Sequence, residues 1–327
     1  TKEEATYVLG AQGNVWTEYI TTPKQVEYMV FPRAIALAEV VWSIKENRNY
    51  ENFVNRLVHF NKRLDLMNVN YAKHLHEVKA EVLNENGRLT LQLETTTDNK
   101  IVYSLDGKKP NYLIHSEYKS PIKIDSSVTI QAAIFNTDRQ QLGAVFKQKI
   151  KLHKAVGKKI SLNVKPDKGY NTGGKQALIN GISGNNKRYG DKEWLGFSGD
   201  DLEITIDLGI ETKINRIKMR FFDARSQWIY EPDEVYVYAY ADIESNSGEI
   251  IMRPDTESMS TLLIRPLNNK SNIKNYEYEH SDDLYDYDTN GNIRYLKIKV
   301  KNYGIIPEGK QGAGHKAWTF IDEIIVE

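Results

Sequence analysis

The sequence contains no cysteine. That removes disulfides, thiol nucleophiles and Cys-ligated zinc as explanations for anything it does. Long apolar runs are also missing, so no segment reads as a membrane-spanning helix. Net charge is absent too: Lys and Arg total 44, Asp and Glu total 44. A nucleic-acid partner or an anionic membrane surface calls for a basic excess, and neither is expected here. Histidines are few, and only His74-x-His76 has ligand-like spacing. No third ligand accompanies that pair, which reads better as a solvated linker. There is no recognisable Ser/His/Asp arrangement, and Gly173-Gly174 precedes no Lys-Ser/Thr pair of the kind that cradles phosphate.

What is present suits two or three domains. The chain has 327 residues, 40% of them hydrophobic, and domains run to ~100–200 residues each. Twenty tyrosines and five tryptophans stand out. Rings with polar edges suit sugar-facing surfaces, and β-strands favour tyrosine in any case. The sequence opens Thr1-Lys2-Glu3 without Met or an apolar leader, which reads as a start inside a larger protein.

Three segments are expected. Over residues 1–74, Tyr7-Val8-Leu9-Gly10 reads as a buried strand. A helical stretch from about Lys24 to Ser43 carries the stripe Val26, Val30, Ala34, Leu37, Val41, with Pro32 kinking it or starting a second helix. A further helix from Tyr50 to Met67 repeats Tyr50, Phe53, Leu57, Phe60, Leu64 and Met67 behind an Asn49 N-cap. Residues 75–153 switch to period two. Leu89, Leu91 and Leu93 alternate with polar residues; Ile101, Tyr103 and Leu105 run into the Asp106-Gly107 turn; Val128 to Ile134 and Phe146 to Ile150 follow. Residues 154–327 repeat this pattern at Leu202–Leu208, Val235–Ala239 and Leu296–Val300, after a linker at Lys154–Lys159. One polar face per strand is the mark of antiparallel sandwiches, so the chain is expected to be predominantly β and multidomain.

Motifs sharpen this. Gly10-Ala11-Gln12-Gly13-Asn14-Val15-Trp16-Thr17-Glu18-Tyr19, then Phe31-Pro32-Arg33-Ala34 and Ala36-Leu37-Ala38-Glu39-Val40-Val41-Trp42-Ser43, resemble the last strand and helix of the (β/α)8 catalytic barrel of family 20 glycoside hydrolases, the β-N-acetylhexosaminidases. Tyr103-Ser104-Leu105-Asp106-Gly107-Lys108-Lys109-Pro110, Tyr118-Lys119-Ser120-Pro121-Ile122 and Thr129-Ile130-Gln131-Ala132 resemble the small Ig-like β-sandwich that follows that barrel in chitobiases. Asn180-Gly181, Trp194-Leu195-Gly196-Phe197, Ile206-Asp207-Leu208-Gly209, Trp228-Ile229-Tyr230-Glu231-Pro232 and Ala317 to Ile324 are similar to discoidin (factor V/VIII type C) domains, a jelly-roll sandwich shared by family 32 carbohydrate-binding modules. The resemblance thus divides the chain into a barrel end at 1–74, a sandwich at 75–153 and a discoidin-like domain at 154–327.

Trp16 and Glu18 are two apart, so on a strand both side chains share a face. The resemblance implies that Trp16 lines a pocket for a terminal N-acetylhexosamine and that Glu18 accepts its 4- and 6-hydroxyls. It further implies substrate-assisted retaining hydrolysis, an exception to the two-carboxylate scheme, with an Asp-Glu pair on an earlier barrel strand outside this chain. Asp233-Glu234 and Asp322-Glu323 lack the family's Gly-x-Asp-Glu setting and take no catalytic role, so no catalytic residue is expected here.

No cofactor for catalysis is implied. A structural calcium ion is, with Asn180 giving a side-chain oxygen, Glu323 a carboxylate, and carbonyls near Gln176 and Gly181 completing the shell. Asn180 stands where many such modules carry Asp. Arg225, Trp228 and His315 are loop candidates for sugar binding, and the Tyr276–Asp288 acidic-aromatic run reads as a loop insertion. The expected partners are glycans ending in N-acetylglucosamine or N-acetylgalactosamine, and the remainder of the barrel. The resemblance implies a bacterial periplasmic, outer-membrane-associated or extracellular location. The alternative is a non-catalytic carbohydrate-binding or adhesion module of a cell-surface protein.

Overall fold

The computed structural model describes residues 1–85, 88–240, 249–250, 273–279 and 293–327. The latter part of the Tyr276–Asp288 run lies outside them; strand Ile273–Glu279 holds its start.

The first segment is helical. The stretch expected from Lys24 to Ser43 is two helices, Pro23–Val30 and Arg33–Trp42, broken at Pro32 as the missing proline N–H requires. Thr22 caps the first by accepting from Gln25 N at 3.2 Å. Asn49 caps helix Tyr50–Leu66 by accepting from Asn52 N at 2.9 Å. That helix buries Val54, Leu57, Asn61 and Leu64, whereas Tyr50 and Met67 at its two ends face solvent. The buried face is therefore one turn shorter at each end than the apolar repeat suggests.

Arg56 grips Glu39 through two hydrogen bonds, at 2.6 and 3.1 Å, which ties two helices together. Asn70 N donates to Glu27 Oε2 at 2.7 Å and Ala72 N to Phe31 O at 2.9 Å, closing the chain back on the first helix. A close contact with the middle segment runs through the turn His74–His76. Gly143 lies against it so closely that an added Cβ would sit 2.3 Å from His76 O.

The expected strand at Tyr7–Gly10 is absent. Residues 8–17 are irregular, with Leu9 fully exposed and Val8 71% exposed. A strand must share its N–H and C=O groups with a neighbour, and among the described residues none lies beside this stretch. Neither of the helices Pro23–Val30 and Arg33–Trp42 buries a residue.

The middle segment is a sandwich of two antiparallel sheets. Lys79–Glu85, Arg88–Glu94 and Ile122–Ile124 form one, in that order. Ser116–Glu117, Lys100–Ser104, Val128–Phe135 and Gln141–Ile150 form the other. Leu89, Leu91 and Leu93 face Ile130, Ala132 and Ile134 in a shared core, as their period-two spacing predicts.

The last segment is a second, larger sandwich. One sheet orders Glu249–Ile250, Glu234–Tyr240, Ile293–Lys301, Leu202–Thr212 and Lys159–Leu162. The other orders Ile273–Glu279, Arg216–Phe222, Trp318–Ile321 and Leu195–Ser198, with Ile325–Val326 also pairing to Arg216–Phe222. Ile204, Ile206, Val237 and Ile298 from the first meet Leu195, Phe197, Met219 and Phe221 from the second. The molecule is multidomain and predominantly β.

The expected linker at Lys154–Lys159 is not a loose one. Ala155 is buried in the large sandwich's core, and Val156 packs on the small one's. Ile182, from the large sandwich, is buried in the core of the small one. Lys151 N donates to Gly181 O and Lys154 N to Val326 O, both at 2.8 Å. Gly181 has φ +81°, and a Cβ there would meet Lys151 O at 2.8 Å. Gly181→Ala combines a left-handed alanine with overpacking, and should cost roughly 2–4 kcal/mol. Denaturant unfolding of the variant checks this, with both sandwiches losing stability together.

Candidate functional site

Three places in the structure gather the residues singled out by sequence. The first holds Trp16 and Glu18. Trp16 is 75% exposed on irregular backbone, and Glu18 lies in a turn closed by Ile20 N donating to Thr17 O at 3.1 Å. The shared strand face expected for the two is therefore absent, because the strand that would define it has no partner. Both side chains are open to solvent. The same segment also exposes Tyr7, Leu9, Tyr19 and Trp42, large apolar side chains unusual at such exposure on a free surface.

The second place is a loop cluster of the large sandwich. Trp228 ends the turn Arg225–Gln227 at φ +62°, a conformation that favours glycine. It is held by Ile229 and Trp318 contacts: Trp318 N donates to Trp228 O at 2.8 Å, and Ala224 N to Ile229 O at 3.0 Å. Its ring stacks on His315 with centroids 4.4 Å apart and planes 15° from parallel. Gly312 passes so close that a Cβ would lie 2.4 Å from Trp228 Cδ1. Arg225 lies over the Tyr230 ring at 5.6 Å and pairs with Asp223 at 3.4 Å. The structure thus brings Arg225, Trp228 and His315 into one cluster from positions up to ninety residues apart. Tyr303 and Lys310 join it; Lys310 Nζ donates to the Tyr303 hydroxyl at 2.6 Å, and Tyr303 stacks on Tyr230. Sequence reasoning missed Tyr303, whose only signal is its place in a Gly-containing loop.

The third place is buried where the sandwiches meet. Glu323 Oε1 accepts from Gly181 N at 3.0 Å and lies 2.6 Å from His153 Nε2. His153 Nδ1 accepts from Val326 N, which puts the ring proton on Nε2 and makes it the donor to Glu323. Burial pushes the Glu323 carboxyl well above its ordinary range and lowers the His153 imidazole to about 4. Asn180 shares this pocket. Its Oδ1 accepts from Ile182 N at 2.8 Å, and its Nδ2 donates to Glu193 Oε2 at 2.7 Å. Burial also raises the Glu193 carboxyl. Glu323 Oε2 is buried without a hydrogen-bond partner. Asn180 and Glu323 are therefore brought together, yet among the described residues no three His, Asp or Glu side chains are arranged to hold an ion.

Asp322 turns the other way. It accepts from Gly184 N at 2.7 Å and pairs with Arg220 at 2.7 Å, and burial pushes its carboxyl up to about 7. Arg220 also lies over Trp194 at 5.4 Å. These contacts consume the Asp322-Glu323 pair structurally. Asp233, the other dipeptide's first member, pairs with Lys301 at 3.0 Å on the surface. His74 bonds Glu77 at 2.8 Å, and His76 Nδ1 is buried without a partner. No described helix is long and apolar enough to cross a membrane.

Comparison with known proteins places names beside these segments. Residues 1–45 match the family model "Glycosyl hydrolase family 20, catalytic domain". Residues 79–147 match the "Chitobiase/beta-hexosaminidase C-terminal domain". A β-hexosaminidase of Porphyromonas gingivalis is 32% identical over 120 residues, which cover 36% of this chain and 15% of that protein. A β-hexosaminidase of Vibrio vulnificus is 55% identical over 42 residues, covering 13% of this chain and 5% of that protein. The matched stretch thus spans about a seventh or less of these relatives' length. Among solved structures, the Clostridium perfringens protein CpGH89CBM32-4, in complex with GlcNAc-α-1,4-galactose, aligns with 54% of this chain and 94% of its own, at 14% identity and TM-score 0.30. Two successive segments of this chain therefore resemble, in order, the catalytic domain of glycosyl hydrolase family 20 and the C-terminal domain of chitobiases and β-hexosaminidases.

Proposed function

We propose that this chain is the C-terminal part of an exo-β-N-acetylhexosaminidase that removes terminal β-linked N-acetylglucosamine or N-acetylgalactosamine from glycans. The observation that carries this reading is the succession of the two family matches along one chain, 1–45 and then 79–147. Residues 1–74 would form the end of the (β/α)8 barrel, 75–153 the following sandwich, and 154–327 a discoidin-like carbohydrate-binding domain. Hydrolysis would be retaining and substrate-assisted. The sugar's own acetamido oxygen attacks the anomeric carbon, and an Asp-Glu pair elsewhere in the barrel orients it and moves the proton. The bacterial cell envelope or exterior is the proposed location.

In this reading the exposed face around Trp16 closes against the other barrel strands. Residues 8–18 then gain the strand partner they lack, and Trp16 and Glu18 turn together to the mouth of the barrel. Trp16 stacks on the terminal sugar and Glu18 accepts its hydroxyls. The cluster of Arg225, Trp228 and His315 would hold a second portion of the glycan. Trp228 supplies a ring fixed by His315 and the Gly312 backbone, so little side-chain freedom is lost on binding.

The pocket of Glu323 and Asn180 fits a structural calcium in one respect: the buried Glu323 Oε2 has no hydrogen-bond partner and is left to take a cation when the carboxyl ionises. Asn180 Oδ1 keeps a second lone pair beside its bond to Ile182 N. A bound ion would supply structural charge compensation and nothing to the reaction.

Three outcomes follow. This chain alone should not hydrolyse aryl N-acetyl-β-glucosaminides, and steady turnover by the purified chain would overturn that. In the whole enzyme Glu18→Gln should lower kcat/KM about 10–100-fold, since each charge-assisted hydrogen bond contributes ~1.5–3 kcal/mol; Trp16→Ala should lower it further. Unchanged kinetics would remove both from the site. For calcium, melting in the presence of the ion and of EDTA should differ, because an ion bound only to the folded state adds RT ln(1 + [L]/Kd). An unmoved midpoint would show that no such site exists.

A further inference from the structure

The outer face of the four-stranded sheet in the small sandwich carries a groove that none of the roles above uses. It is open and about 620 Å³ in volume, inside the ~300–1,000 Å³ range of ligand pockets. Phe135, buried with Val102 and Ala133, and the half-buried Tyr112 give it an apolar base, their rings 5.7 Å apart. Lys109 and Arg139 stand exposed along it with the amides of Asn111 and Gln141. Its lining holds two cations and no carboxylate.

Arg139 is the informative residue. Its φ is +62°, the left-handed conformation that glycine takes freely and arginine does not. The hairpin between Val128–Phe135 and Gln141–Ile150 enforces it: Arg139 N donates to Asn136 O at 3.0 Å, and Gln140 N to Asn136 Oδ1 at 2.8 Å. Its side chain lies along the groove, with the guanidinium 5.4 Å from the centre of the Tyr112 ring. A guanidinium over a ring engages the ring with its face and keeps its N–H edge for a planar oxyanion. Among the described residues no carboxylate pairs with Arg139 or with Lys109.

We propose that this groove binds an acidic saccharide through the oxyanion its ring carries, a carboxylate or a sulfate, with Arg139 and Lys109 as the anion-binding side chains. Arg139 offers two parallel donors to the oxyanion and Lys109 a compact charge. Asn111 and Gln141 supply amides for the sugar hydroxyls, and Tyr112 a surface for its C–H edge. The assignment of the oxyanion to a sugar rests on the glycan-processing reading above; the anion site itself does not.

Calorimetric titration of the full chain tests this with four probes: N-acetylglucosamine 6-sulfate, glucuronic acid, neutral N-acetylglucosamine and inorganic sulfate. At least one acidic sugar should bind roughly tenfold or more tightly than the neutral one, as loss of a bidentate charged contact implies. Arg139→Gly and Lys109→Ala should each abolish that preference. Arg139→Gly should melt no lower than the parent, because it relieves the strained backbone, so its loss of binding is not loss of fold. Lys123→Ala, which removes an exposed cation from the other sheet of the same sandwich, should leave the preference intact, which separates the groove from general surface charge. Equal binding of acidic and neutral sugars, or a preference that survives Arg139→Gly, would overturn the site. Inorganic sulfate binding as tightly as the sulfated sugar would overturn its assignment to saccharides, whatever the catalytic activity of the whole enzyme proves to be.

Discussion

Glu323 places a carboxyl group where burial opposes its charge, and the chain must converge on it to make that tolerable. Gly181 brings a backbone N–H from one loop, His153 a ring N–H from the segment joining the sandwiches, and Val326 fixes that ring's tautomer from the last strand. An uncompensated buried carboxyl is costly, and every compensating group here comes from a different stretch of sequence. The same stretches carry the packing that joins the sandwiches: Ile182 in the small core, Ala155 in the large one. Neither sandwich can rotate against the other without opening this pocket. The loop cluster of Trp228 and the groove of Tyr112 are thereby held on one framework.

The first segment obeys a different physics. Its helices are capped and stitched by Arg56–Glu39 and by Asn70, so local structure forms. Its apolar side chains nevertheless stay exposed, with Trp42 88% exposed and Leu9 fully so. Hydrophobic periodicity records what a segment is made to bury, and in the proposed reading the burying surface belongs to the rest of a barrel. Trp16 and Glu18 acquire a common direction only when residues 8–18 are paired.

How far the sequence discloses this fold depends on the range of the interactions involved. Leu202, Ile204, Ile206 and Leu208 alternate with polar residues, and all four are buried, because one face of their sheet is wet. Asn49 and Pro32 mark helix boundaries through their own backbone chemistry. Leu195–Ser198 and Ile325–Val326 carry no such mark, since short strands have too few turns of the pattern to register. Tyr7–Gly10 looks like a strand for the same reason: an apolar run states a preference for burial and leaves the partner unspecified. The site residues divide similarly. Arg225, Trp228 and His315 are visible as residue types, but their convergence depends on loops ninety residues apart. His153 is invisible from sequence, because the carboxylate that gives it meaning lies 170 positions away. Arg139 is hidden for a subtler reason: its importance lies in a backbone angle, which residue type alone suggests should belong to glycine.

The proposed role of this chain is as the terminal part of a retaining, substrate-assisted hexosaminidase. Proton NMR of the first product formed by the whole enzyme from 4-nitrophenyl N-acetyl-β-glucosaminide tests that most directly. Retention through the acetamido group predicts that β-N-acetylglucosamine appears first and reaches the α-anomer only by later mutarotation. Initial release of the α-anomer, or no release of nitrophenol at all, would contradict it.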